Sequence, residues 1–208
     1  MKPRFLYSIF LALPFLAGCA AKPYDYTNFH AHPPCSIVVL PPINNSTDIR
    51  GTYGYLSTVT RPLAEMGYYV FPVAEVDEFM KENGLPTAGE MQQASLKKIG
   101  DILGADAVLY ITLLQYGSKY EVITSVTTVS AEAKLVDVKT GLTLWSGNVI
   151  VQQSSSSDNA IADLIVAAVD QIINSSTDQA HKLSSQANVQ LLTTENQGLL
   201  FGPYYPKK

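Results

Sequence analysis

The chain has 208 residues, 47% hydrophobic and 15% charged, with a formal net charge of −4. That length suits one compact domain with tails, and the acidic balance, with no basic run to offset it, argues against nucleic acid as a partner. With only 3 histidines and 2 cysteines, little material is available for metal or nucleophilic chemistry.

In chain order, residues 1–18 read as a secretory signal peptide. Lys2 and Arg4 precede an apolar run from Phe5 to Phe15, and Leu16, Ala17 and Gly18 form a small-residue cleavage site before Cys19. The run is shorter than the ~20 residues that cross a bilayer, and Pro14 interrupts it. Without Lys2 and Arg4 the formal charge falls by two from −4, to −6.

Residues 19–35 are expected to be an extended tether, because "CAAKPYDYTNFHAHPP" has neither helical nor strand periodicity. His30, His32 and Cys35 make an H-x-H-x-x-C pattern with the ligand types of a zinc or copper site. No fourth ligand is evident, so the expectation is a solvated tether with no metal and no cofactor. Cys35, just before an apolar strand, is expected to be buried.

Residues 36–208 should form a single domain. "SIVVLPP" reads as a strand covered on both faces, followed by a polar loop from Ile43 to Gly51. Tyr55, Leu56, Val59, Leu63 and Met66 have helical spacing, with a kink expected at Pro62 and an end at Gly67. A second strand is expected over Tyr68 to Val73, then a helix from Glu75 to Gly84. Thr87 and Glu90 have capping-box spacing before a helix carrying Leu96, Ile99 and Leu103 and ending at Gly104.

"ADAVLYITLLQYG" is the third strand. Beyond it the period is two: Val129, Ala131, Ala133 and Leu135 share the inward face, Lys139, Thr140 and Gly141 turn the chain, and Leu142 and Leu144 resume inward alternation. A change of parity predicts a bulge near Gly147 or Asn148, and Trp145 belongs to the core. "QQSSSSDN" reads as a polar loop, and Asp158 as the N-cap of a long helix carrying Ile161, Leu164, Ile165, Ala168, Val169 and Ile172. The fold class is therefore α/β: a mixed sheet with helices packed against it.

Candidate chemistry is sparse. Arg50, approaching a helix, has the position to receive an anion but is expected to be solvated or salt-bridged. Glu75, Asp77 and Glu78 read as a helix-start charge cluster, and Ser154 to Ser157 have no adjacent base. His181, near a helix end, is expected to complement the helix dipole. No catalytic residue is assigned. In "GLLFGPYYPKK", Gly198, Gly202, Pro203 and Pro206 exclude helix, yet Leu199, Leu200, Phe201, Tyr204 and Tyr205 are large and apolar or aromatic. The segment is expected either to dock on its own sheet or to engage a partner.

Leu16-Ala17-Gly18-Cys19 resembles the lipobox of bacterial lipoproteins. That resemblance implies acylation at Cys19 and, with Ala20 rather than Asp following, an outer-membrane location facing the periplasm. "SIVVLPPINNS", "AEMGYYVFPV", "LGADAVLYITLLQYG", "AKLVDVKTGLTLWSG" and "GLLFGP" together resemble a family of bacterial lipoproteins of unknown function that includes a meningococcal surface-antigen candidate. More distantly, the element order is similar to the TolB amino-terminal domain and to the CsgG and LpoB lipoproteins. These resemblances imply a membrane-tethered, non-enzymatic adaptor that contacts other envelope proteins or lipoproteins in assembly or secretion. The alternative is a periplasmic lipoprotein that binds a small ligand or metal.

Overall fold

A computed structural model describes residues 24–120, 124–156 and 168–206. Expectations for residues 1–18, Cys19, Asp158, Ile161, Leu164 and Ile165 lie outside the described residues.

Strand β1 (Ser36–Val39) and the adjoining Leu40 bring four consecutive apolar side chains, Ile37 to Leu40, to complete burial. Only a strand covered on both faces does this. Pro41 and Pro42 have no N–H to continue the ladder. Pairing resumes at β2 (Ile43–Asn44), against the same edge of β4 (Ala107–Tyr120) that holds β1. Across the gap, the side-chain amide of Gln92 donates to Pro41 O at 2.9 Å and Ile111 O at 2.8 Å. Two carbonyls beside the proline pair are thereby satisfied without a ladder.

The sheet order is β3-β1-β4-β5-β6, with β3 (Tyr69–Val70), β5 (Thr124–Asp137) and β6 (Thr143–Ser156). The first three strands are parallel and the last three antiparallel, giving the mixed sheet expected. Helix α2 (Gly51–Glu65), which continues through Pro62, and helix α6 (Ala168–Thr193) pack together over one face. Beneath them lie Ile37, Leu109, Ile111, Leu135 and Trp145. On the other face Val76 and Met80 of α3 (Val73–Glu82), Met91 of α4 (Ala88–Met91) and Ile99 of α5 (Leu96–Leu103) cover Val38, Leu40 and Val108.

Several boundaries differ from expectation, each for a local reason. The strand expected over Tyr68 to Val73 is only two residues long, because Pro72 has no donor and caps α3, which begins two residues earlier than expected. The Thr87–Glu90 capping box forms, but it closes a single turn, and a second helix starts after Ser95. The bulge falls at Leu144, not at Gly147 or Asn148, which pair regularly with Ala133 and Glu132. This placement buries both Leu144 and Trp145 and leaves Leu142 41% exposed, not inward. A second bulge, at Leu114 of β4, keeps Tyr116 on the face of Leu113. The serine run is strand as far as Ser156, paired with Thr124.

The tether expected over 19–35 gives way, from Tyr24 onward, to structure packed on the domain. Helix α1 (Thr27–Ala31) buries Phe29, with Tyr24 and Tyr26 packed against the same cluster. Asn28 Nδ2 donates to Thr143 O at 3.1 Å, and Ser146 N donates to the Tyr24 hydroxyl at 2.8 Å. Both bonds fall on the outer edge of β6. Cys35 is exposed, not buried. Asp106 Oδ2 holds the Cys35 and Ser36 N–H groups, both at 3.0 Å, and Pro34 is the buried neighbour.

The Tyr55 hydroxyl is buried and has no hydrogen-bond partner among the described residues, and burial raises its pKa. Tyr55→Phe should therefore leave stability unchanged or raise it by ~1 kcal/mol. Leu63→Ala, in the same cluster, should cost ~2–5 kcal/mol. Denaturant titration of the two variants distinguishes the effects.

Candidate functional site

Helices α3 to α5 cover only the β1 side of their face. Over β5 and β6 no described residue covers that face. Successive rungs across β4, β5 and β6 are Tyr110–Lys134–Ser146 and Thr112–Glu132–Asn148. Lys134, Glu132, Ser146 and Asn148 are exposed, and Ile150, farther along β6, is 62% exposed. The wall opposite is Gly89 of α4 with Gln92, Gln93 and Leu96, enclosing a groove of about 870 Å³.

Gln92, fixed by its two carbonyl acceptors, joins this wall to the sheet. The Lys134 ammonium sits 5.3 Å from the centre of the Tyr110 ring, a cation–π pair on the groove floor. Burial raises the Tyr110 pKa, so its hydroxyl is a neutral donor and acceptor at physiological pH. Among the described residues of the lining Glu132 is the single carboxylate, and neither histidine nor cysteine is present. The groove is equipped to bind by stacking, hydrogen bonds and one charge of each sign. It has no base–nucleophile pair.

The residues singled out in the sequence lie elsewhere. His30 is on α1, while His32 and Cys35 follow it. Among the described residues no group of three or more His, Cys, Asp or Glu side chains is placed to hold a metal. Arg50 is tied to Asp48 through Nε at 2.9 Å and Nη2 at 2.7 Å. Those hydrogen bonds hold the Asp48 carboxyl below its ordinary pKa.

Asp77 is no surface cap. It is buried on α3, paired with Lys81 at 2.6 Å and facing the Tyr53 hydroxyl at 3.4 Å. His181 lies well inside α6, not near its end, and its Nε2 is 3.1 Å from Ser57 Oγ of α2. The dipole role expected for it therefore gives way to a contact between helices.

The carboxy-terminal segment docks on its own domain. Trp145 Nε1 donates to Gln197 O at 2.8 Å and Gly202 N to Met66 O at 2.9 Å, while Tyr204 N donates to Gly67 O at 3.1 Å. The Tyr26 and Tyr68 hydroxyls donate to Gly198 O and Leu200 O. Leu199 is buried. Gly67 has φ +87°, and a Cβ there would collide with the Tyr205 backbone, so the crossing requires glycine.

Together these features define a single mixed α/β domain whose two terminal segments pack on its body. The family model described as "Putative lipoprotein GNA1162-like" matches residues 24–204, and the chain belongs to that family. It is 43% identical over 209 residues to "Putative lipoprotein NMB1124/NMB1162" of Neisseria meningitidis serogroup B, an alignment covering 99% of this chain and 97% of the relative. The crystal structure of lipoprotein GNA1162 from Neisseria meningitidis is similar at 45% identity and TM-score 0.56, covering 68% of this chain and 99% of that one. The LpoB C-terminal domain from Escherichia coli is similar at 20% identity and TM-score 0.43, covering 57% of this chain and 83% of that one.

Removal of Gly198 to Lys208 takes away the bonds at Gly198, Leu200, Gly202 and Tyr204 and a buried leucine. Melting temperature should fall by about 5–10 °C, corresponding to ~2–4 kcal/mol in a domain of this size. Gly67→Ala should show a smaller loss of the same sign, read by thermal unfolding.

Proposed function

We propose that this chain is an outer-membrane lipoprotein that faces the periplasm, acylated at Cys19, and acts as a non-enzymatic protein-interaction adaptor in envelope assembly or secretion. The observation that carries this reading is the half of the sheet over β5 and β6 that no described residue covers, walled on one side by α4. A sheet face left open beside a rigid wall suits a protein surface or an extended segment. Its lining favours contacts over bond-breaking, with Tyr110, Lys134, Glu132 and Asn148 on the floor, and exposed Ile150 beyond the groove on the same strand adds an apolar contact.

The edge of β6 extends the same surface. Asn28 and Tyr24 bond this edge at Thr143 and Ser146, and from Gly147 to Ser156 the strand carries no charged residue, although charges are the usual protection of an open edge. Attachment through acyl chains, at ~0.8 kcal/mol per buried CH₂, would keep the domain at the membrane while this surface stays in water.

Two measurements test the proposal. Palmitate labelling should be lost in Cys19→Ser, and labelling that persists would remove the anchor from the account. A photo-crosslinker at Glu132 or Asn148 should capture a defined envelope protein in cells, whereas one at Asp101 on α5 should not. Combining Lys134→Glu with Ile150→Ser, both exposed side chains, should weaken capture by about tenfold, near 1.4 kcal/mol, without changing the melting temperature. Equal capture at all three positions would contradict a partner in the groove.

A further inference from the structure

Phe201, Tyr204 and Tyr205 are 58%, 68% and 40% exposed on a segment whose backbone is fixed to Met66 and Gly67. The Phe201 and Tyr205 rings stack with centroids 4.1 Å apart. Folding gains little from leaving three aromatic side chains in water on a rigid strap. Single exposed aromatics are ordinary, but three on one anchored strap form a patch with a use.

Their place in the fold indicates what covers them. Tyr26 and Phe201 line one cleft with Met66, Leu192 and Asn196. Two residues before Tyr26, Tyr24 is fixed by its N–H to Asn196 O at 3.3 Å and by its hydroxyl to Ser146. Four residues, Ala20 to Pro23, separate Tyr24 from Cys19. Five Cα-to-Cα steps span at most roughly 17 Å when fully extended, and Pro23 narrows the choices further.

We propose that Phe201, Tyr204 and Tyr205 form a membrane-contact surface, seated in the lipid headgroup layer beside the anchor. This rests on the reading of Cys19 as the acylated residue. With that anchor, this end of the domain faces the bilayer from within a short tether's length. Tyrosine and phenylalanine are suited to the place, because their rings enter the interfacial layer while the hydroxyls stay hydrated. Asp25 and Glu195 at this end, and Lys22, Lys207 and Lys208 in the adjoining sequence, leave no strong excess of either sign. The contact is therefore apolar in origin and insensitive to salt. It orients the domain, with the end of β4 near Lys119, the start of β5 near Val126 and the end of β6 near Gln153 directed away from the membrane.

The test uses the full acylated chain with Cys35→Ser, reconstituted in phosphatidylethanolamine–phosphatidylglycerol vesicles containing a nitroxide-headgroup lipid. An environment-sensitive fluorophore is attached at Tyr204→Cys or, for reference, at Gln153→Cys, which lies about 23 Å along β6 from Ser146. Quenching several-fold stronger at position 204, retained in high salt, is expected. Phe201→Ser combined with Tyr205→Ser should bring position 204 to the reference level without loss of melting temperature.

Equal quenching at both positions overturns the proposal while leaving the anchor intact. So does a fluorophore at 204 that is shielded only when envelope proteins are added, since the patch is then a protein site. Vesicle flotation reports the anchor separately: a chain that fails to float overturns both the anchor and the surface built on it.

Discussion

Two missing N–H groups, at Pro41 and Pro42, organise this molecule. Strand β4 is fourteen residues long, but its parallel edge holds only β1 and the two-residue β2, with the proline pair between them. The carbonyl of Ile111 must find another donor, and Gln92 supplies it while also bonding Pro41 O. A buried acceptor left without that amide would cost ~1–3 kcal/mol, so the α4 turn is held where the sheet lacks a ladder bond. From that position α4 forms a wall, and β5 and β6 lie beyond its reach. The groove is a consequence of where the prolines stop the parallel half of the sheet.

The other face has a different economy. α2 and α6 cross together over β1, β4, β5 and β6, and several polar groups between them are paired, although the Tyr55 hydroxyl and Asn188 Oδ1 are buried without a hydrogen-bond partner among the described residues. Asn188 Nδ2 donates to Thr58 Oγ1 at 2.9 Å, Thr58 in turn donates to Tyr55 O, and His181 meets Ser57. Tyr53, Asp77 and Lys81 link α2 to α3 at its border, and the Asp77 carboxylate beside Lys81 raises the lysine pKa. These contacts fix the relative position of the helices, a role apolar packing alone performs less specifically.

Much of this architecture was legible in the sequence because local chemistry and tertiary outcome agree. Four consecutive apolar residues before two prolines could only be a strand buried on both sides, and the Thr87–Glu90 spacing is a helix start wherever it is packed. The bulge was misplaced because parity shows that a strand has shifted but not where: burial of both Leu144 and Trp145 decided it. The segment before Ser36 lacks periodicity and so reads as an extended tether, yet one turn of helix needs only Phe29 to bury. The groove was invisible for a deeper reason. Its floor is every second residue of three strands, drawn from positions 110, 132 and 148, and nothing in their order along the chain marks them as neighbours. The carboxy-terminal strap was recognised as apolar and non-helical. That its backbone would dock while three rings faced outward depends on the positive φ of Gly67, which composition does not express.

The joining of the two ends of the chain has a mechanical consequence. Tyr24 N–H reaches Asn196 O, and Tyr26 reaches Gly198 O, so the segment leading from the amino terminus is fastened to the segment that follows α6. Tension drawn through residue 19 would enter the domain at this clasp and at the β6 edge, not at the end of β1. It would load several hydrogen bonds and the buried ring of Phe29 before any central strand carried force. Pulling would peel α1 first, withdrawing Phe29 and lengthening the link by the residues released while the sheet stayed paired. The clasp is in this sense an extensible coupling: taut and short at rest, longer under load.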